Sequence, residues 1–212
     1  MSKDVKILCL HGFGKRRGRQ FDYLEEELKD RYEILAPDYY ALSKEDAECG
    51  IWMENVRKIL EELKDERLIV IGFSLGALMA AHYAKEYDFE KMIFISPGFD
   101  DRKFLEVKLA DPDPSVPAGY IQVFSDVLKS CIDDVKDIEC PVTIIHSKSD
   151  ELIPYGYSVE YYDKIKSEHK RLYLLEGGSH AVLDDLSIRG KVMDILEDEL
   201  SDYARGEADD PE

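Results

Sequence analysis

Leu68-Ile69-Val70-Ile71-Gly72-Phe73-Ser74-Leu75-Gly76-Ala77-Leu78-Met79-Ala80 runs from a short β-branched apolar segment, through a serine between two glycines, into a small-residue helical pattern. This is G-x-S-x-G between a strand and a helix, the pattern of a nucleophile elbow. The chemistry accounts for the residue types. A serine on a sharp turn holds its hydroxyl clear of the sheet. Gly72 and Gly76, having no Cβ, let strand and helix approach closely. The N–H of Leu75 then opens a helix and is available to a developing oxyanion.

Working outward, further strand-like runs are Val5–Leu10, Tyr32–Ala36, Lys91–Ile95, Pro141–His146 and Arg171–Leu175. With Leu68–Ile71 they make six, and most are continuously apolar, as strands buried on both faces are. Helical periodicity separates them over Phe21–Arg31, Ile51–Asp65, Leu75–Tyr87, Tyr157–Lys166 and Leu186–Tyr203, with Ser43 set to cap a turn over Glu45-Asp46. The alternation predicts a three-layer α/β/α sandwich on a mainly parallel six-stranded sheet. The rhythm breaks between Phe99 and Glu139. Asp111-Pro112-Asp113-Pro114-Ser115-Val116-Pro117 suits neither a helix nor a central strand. Tyr120, Ile121, Phe124, Val127 and Leu128 then repeat at helical spacing, so residues 99–139 read as a cap insertion with one short amphipathic helix.

At 212 residues and 44% hydrophobic content, the chain reads as one domain over residues 1–205, with a disordered acidic tail at 206–212. No apolar run approaches the roughly 20 residues of a membrane helix, and no signal peptide is visible, so the expected location is cytoplasmic. A formal charge of −18 argues against nucleic acid and anionic membrane partners. Cys9, Cys49, Cys131 and Cys140 lack zinc-ligand spacing and read as reduced structural thiols. Oligomeric state is not legible. A P-loop is excluded, because no lysine stands at the required spacing.

Ligands of such a sheet collect at the carboxyl ends of its strands. His11-Gly12-Phe13 follows the first strand, Ser74 the third, Asp150 the fifth and His180 the last. Together, His11-Gly12-Phe13-Gly14, Gly72-Phe73-Ser74-Leu75-Gly76, the Asp150-to-Pro154 segment and Gly177-Gly178-Ser179-His180 resemble the α/β-hydrolase superfamily from Val5 to about Tyr203. Beside that family, the chain is expected to lack the first two antiparallel strands of larger members. The resemblance implies a minimal α/β-hydrolase fold and a triad in the order Ser, Asp, His.

On this reading Ser74 is the nucleophile. His180 is the base, because it alone among the five histidines sits on a glycine-rich loop after the last strand. His82 and His169 suit surface roles, and His11 resembles the family's structural His-Gly pair. Asp150 is the acid, favoured over Glu151, Asp100 and Asp101 by its spacing to Pro154. The resemblance also assigns the backbone N–H groups of Phe13 and Leu75 to an oxyanion hole. No metal or organic cofactor is called for.

The expected activity is hydrolysis of a small carboxylic ester. The alternative is an acyl thioesterase acting on an anionic or coenzyme A-type substrate, and a binding protein on the same fold ranks third. Lys15-Arg16-Arg17-Gly18-Arg19 stands out in so acidic a chain. It is either a solvated loop or, through Arg16 and Arg17, a site for an anionic substrate group. Tyr120 and Phe124 are candidates either to line an acyl pocket or to dock the cap helix on the core.

Overall fold

The computed structural model describes residues 4–14, 17–111, 113–117 and 119–203, with the side chain of Arg17 excepted. The Lys15 and Arg16 of the basic loop, the Arg17 side chain and the tail at 206–212 lie outside the described residues.

Six strands form one sheet: β1 (Val5–Leu10), β2 (Glu33–Leu35), β3 (Arg67–Phe73), β4 (Lys91–Ile95), β5 (Val142–Ser147) and β6 (Lys170–Leu175). Their order is β2-β1-β3-β4-β5-β6, and every pairing is parallel. Leu8 sits beside Val70, Ile71 beside Ile93, and Ile145 beside Tyr173. The continuously apolar strands divide by period two into two cores. Leu8, Leu10, Val70, Phe94 and Ile144 face one side with Trp52, Val56, Leu78, Tyr120 and Phe124. Ile7, Cys9, Ile71, Phe73 and Ile95 face the other with Leu24, Leu28, Val192 and Leu196.

The helices are α1 (Asp22–Leu28), α2 (Cys49–Glu62), α3 (Leu75–Tyr83), α4 (Arg102–Ala110), α5 (Tyr120–Cys131), α6 (Gly156–Lys164) and α7 (Arg189–Leu200). Helices α2, α3 and α5 contribute to the first core, while α1 and α7 contribute to the second. Helix α3 is buried from Leu75 to Ala81, which explains its lack of a polar face. Among the described residues, no helix is long and apolar enough to cross a membrane.

Three elements differ from their sequence-based expectations. The segment before α1 starts as a 3-10 turn over Arg17–Phe21. The last helix starts at Arg189 instead of Leu186. The Asp185 carboxylate ties the preceding turn together, accepting from Ser179 N, Ser187 N and Ser187 Oγ. Between β4 and β5 stands a helix that the proline run concealed, α4, ahead of the expected α5. Helix α5 packs directly on α3, so this segment also supplies part of the layer that covers the sheet.

Strand order reverses between β1 and β3: the chain leaves β1 for β2 on one side and returns to β3 on the other. The crevice at such a switch point is where open α/β sheets place ligands.

Candidate active site

The crevice is closed by two glycines that no other residue could replace without a shift. A Cβ on Gly72 would lie 2.6 Å from Ala77 Cα, and one on Gly76 would lie 1.9 Å from Leu10 O. Helix α3 therefore starts hard against the ends of β1 and β3. Ser74 takes the turn between β3 and α3 with φ 52° and ψ −113°. Such a backbone costs on the order of 1–3 kcal/mol. The neighbouring strand holds it in place: Ser74 N donates to Ile95 O at 3.0 Å, and Gly98 N donates to Ser74 O at 3.0 Å.

His180 comes to the same point from the loop after β6. Its Nε2 is 3.0 Å from Ser74 Oγ, and its Nδ1 is 2.7 Å from Asp150 Oδ2. Asp150 closes a tight turn after β5, where its Oδ1 accepts from Leu152 N at 2.9 Å and Ile153 N at 2.8 Å. Ser147 Oγ lies 2.8 Å and 2.6 Å from the carbonyls of Gly177 and Gly178, joining the Asp150 turn to the His180 loop. Burial alone would push the Asp150 carboxyl up. Hydrogen bonds from His146 and His180 more than offset this and hold it well below the usual carboxylate range.

The rival acids are engaged elsewhere. Glu151 Oε2 accepts from the backbone N of His180 at 3.0 Å, so it holds the loop instead of the ring. Asp100 accepts from Arg102 N and Arg102 Nε at the start of α4. His82 pairs with Asp134 at 2.7 Å. His11 is fully buried and stacks on Tyr39 at 4.1 Å.

Phe13 stands in a turn clamped from both sides. Gly12 N donates to Gln20 Oε1 at 2.7 Å, and Gly14 N donates to Tyr40 Oη at 2.8 Å. A Cβ on Gly12 would come within 3.0 Å of Ser74 Cβ, which places this turn against Ser74. Leu75, opening α3, has an N–H at a position with no partner inside its own helix. Gln20 and Tyr40 escaped the sequence reading, since neither carries a motif. They are found only by following which side chains satisfy the turn.

Tyr120 and Phe124 are both fully buried, so each docks its helix. Phe124 also borders the Ser74 turn. A Cβ on Gly98 would lie 3.1 Å from the Phe124 ring and 3.2 Å from Ser74 C. The ring then meets Phe104 at 4.3 Å, and Phe104 meets Phe13 at 5.3 Å. Tyr120 sits further back against Trp52 and Tyr40. Arg19, the one side chain of the basic loop's four cations within the described residues, is 83% exposed, with Asp22 3.6 Å away.

A sequence model of the alpha/beta hydrolase family matches residues 7–130, more than half of the chain, and one for serine aminopeptidase S33 matches residues 113–187. The mitochondrial palmitoyl-protein thioesterase ABHD10 of Bos taurus is 23% identical over 192 residues, covering 77% of this chain. The chain spans 63% of that relative's length. Among solved structures, the monoacylglycerol lipase of Paleococcus ferrophilus superposes with a TM-score of 0.72 at 16% identity, over 95% of this chain and 97% of that one. A structure from a study of the metagenome-derived lipolytic enzymes LipS and LipT superposes at 0.76 and 18% identity, over 96% and 94%.

Proposed function

The chain belongs to the alpha/beta hydrolase family, and from that premise we propose that it is a serine hydrolase cleaving a carboxylic ester through an acyl-enzyme on Ser74. One observation carries the reading: Ser74 Oγ, the His180 ring and Asp150 Oδ2 stand in a row at 3.0 Å and 2.7 Å. Ser74 Oγ attacks the carbonyl carbon while His180 Nε2 takes its proton. The negative oxygen of the tetrahedral intermediate is held by the N–H groups of Phe13 and Leu75. The intermediate collapses as His180 returns the proton to the departing alkoxide. Water, deprotonated by the same nitrogen, then releases the acid and restores Ser74. Asp150 keeps the His180 tautomer correct and stabilises the imidazolium.

Thioester cleavage is the second reading, favoured by the name of the bovine relative. The triad acts identically on either bond, since only the leaving atom changes. The half-buried Phe13 ring, backed by the buried Phe104 and Phe124, offers an apolar surface beside Ser74 in both cases. The proposed compartment is the cytoplasm. The bovine relative is named as mitochondrial, and fractionation of the native host distinguishes the two.

A fluorophosphonate probe followed by peptide mass spectrometry tests the mechanism. The adduct is expected on Ser74 and absent from Ser74→Ala, and an adduct elsewhere refutes the assignment. A panel of paired esters and thioesters, graded in acyl length and charge, ranks the two substrate readings by kcat/KM. Anionic esters that turn over no faster than neutral ones, before and after replacing Arg16 and Arg17 by alanine, remove the basic loop from substrate recognition.

A further inference from the structure

The catalytic row leaves one neighbouring group without a role. His146 is the penultimate residue of β5, four residues before Asp150, and is fully buried. Its Nε2 lies 3.0 Å from Asp150 Oδ2 and 3.0 Å from Ile153 O. A carboxylate oxygen and a peptide carbonyl are both acceptors, so Nε2 must carry a proton. Its Nδ1 lies 2.6 Å from the hydroxyl of Ser158, itself fully buried on α6. A hydroxyl can donate or accept, so in either direction Ser158 holds the ring from its other side.

Asp150 Oδ2 thus faces two imidazole nitrogens, one from His146 and one from His180. One belongs to the ring that exchanges protons with Ser74, the other to a ring whose remaining nitrogen is capped by a serine. The groups facing His146 are Asp150 and the Ile153 carbonyl from its own connection and the neutral Ser158 from α6. Beyond Asp150 lie His180 and, on its backbone N–H, the Glu151 carboxylate.

We infer that His146 is a positioning residue: an imidazole whose Nε2–H, with the ring held by Ser158 from its other side, pins Asp150 Oδ2 in place for His180. The inference rests on the proposed triad, and its readouts are separable from those that test the triad. Fluorophosphonate labelling of Ser74 reports on the triad. Imidazole nitrogen resonances of the intact protein report on His146. They are expected to show Nε2 protonated and hydrogen-bonded at neutral pH. A bare Nε2, with the proton on Nδ1, overturns the inference even where Ser74 labels normally.

Kinetics supply the second readout. His146→Leu fills the space without a donor, and kcat is expected to fall about 10- to 100-fold. KM should stay within about twofold, because the loss falls on the reacting groups. With one donor gone, Asp150 keeps more charge for His180, so the acid limb of the kcat/KM profile should move up by about half a pH unit. His146→Gln restores an N–H near Nε2 and should recover kcat to within about threefold and return the acid limb. Equal losses in the two variants with an unmoved limb mean that His146 only fills space. If His146→Leu does not fold, Ser158→Ala reads the same chain of bonds. Its kcat should then fall and its acid limb rise in the same direction as expected for His146→Leu, and an unchanged profile overturns the inference.

Discussion

The two ends of the sheet each bury a carboxylate, and they use it in opposite ways. At the amino end, Glu199 of α7 is fully buried among Lys91, Thr143, Arg171 and Tyr173. Lys91 Nζ donates to its side chain and also to its backbone carbonyl, the latter at 2.9 Å. At the carboxyl end, Asp150 is equally buried but faces two imidazoles. Both carboxyls lie below their usual range. For Glu199, burial pushes up, and the bonds from Lys91, Arg171, Thr143 and Tyr173 prevail and bring it to about 2. The difference lies in the partners. Lysine and arginine keep their charge at any working pH, so the Glu199 cluster is inert and ties β4, β5 and β6 to α7. Histidine can give and take a proton near neutrality, so the Asp150 cluster can serve a reaction. A buried carboxylate becomes chemical when a titratable partner also reaches a nucleophile.

The contrast breaks first at Ser74. Ser74→Ala is expected to lower kcat by about 10⁴- to 10⁶-fold while the melting temperature barely moves, read by ester turnover and calorimetry. Asp150→Asn should cost about 10³- to 10⁴-fold in kcat, because the amide presents a donor where His180 Nδ1 needs an acceptor. Glu199→Gln should do the reverse. It leaves Lys91 buried without its anion, and about 3 kcal/mol of stability should be lost with kcat/KM unchanged. Denaturant unfolding beside steady-state kinetics checks it, and a loss of activity without a loss of stability would erase the distinction between the two ends.

The same variant sharpens the comparison through pH. The Glu199 carboxyl is depressed in the folded state, so its stabilisation is complete above the unfolded value of about 4.3. It drains away as pH falls towards about 2. Glu199→Gln should therefore flatten part of the acid limb of the stability curve, as urea midpoints taken across that range would show. The smallest effect is expected from Gln20→Ala. Loosening the Phe13 turn should cost about tenfold in kcat, with KM nearly unchanged, since the donor it steadies matters most in the transition state.

Much of this was legible in the chain because it depends on neighbours in sequence. The apolar runs at β1, β3, β4 and β5 declared buried parallel strands, and Gly72-Phe73-Ser74-Leu75-Gly76 declared a strand–turn–helix with a serine at its apex. Placing Ser74, Asp150 and His180 after successive strands put all three at one edge, because parallel strands end on the same side. Helix α4 was hidden, since the proline run beyond it masked nine residues of helix anchored by the burial of Phe104. Four further features required the folded chain: Gln20 and Tyr40 on the Phe13 turn, the second histidine on Asp150, the Glu199 cluster, and Phe124 bordering Ser74. Their side chains carry no motif, and Tyr40, Phe124 and the Glu199 cluster also join segments distant in sequence. Local periodicity and turn chemistry thus determined the strands and the elbow by themselves. Which donors surround each buried carboxylate was decided only by tertiary packing, because hydrogen-bond direction and burial belong to the assembled neighbourhood and not to any one segment.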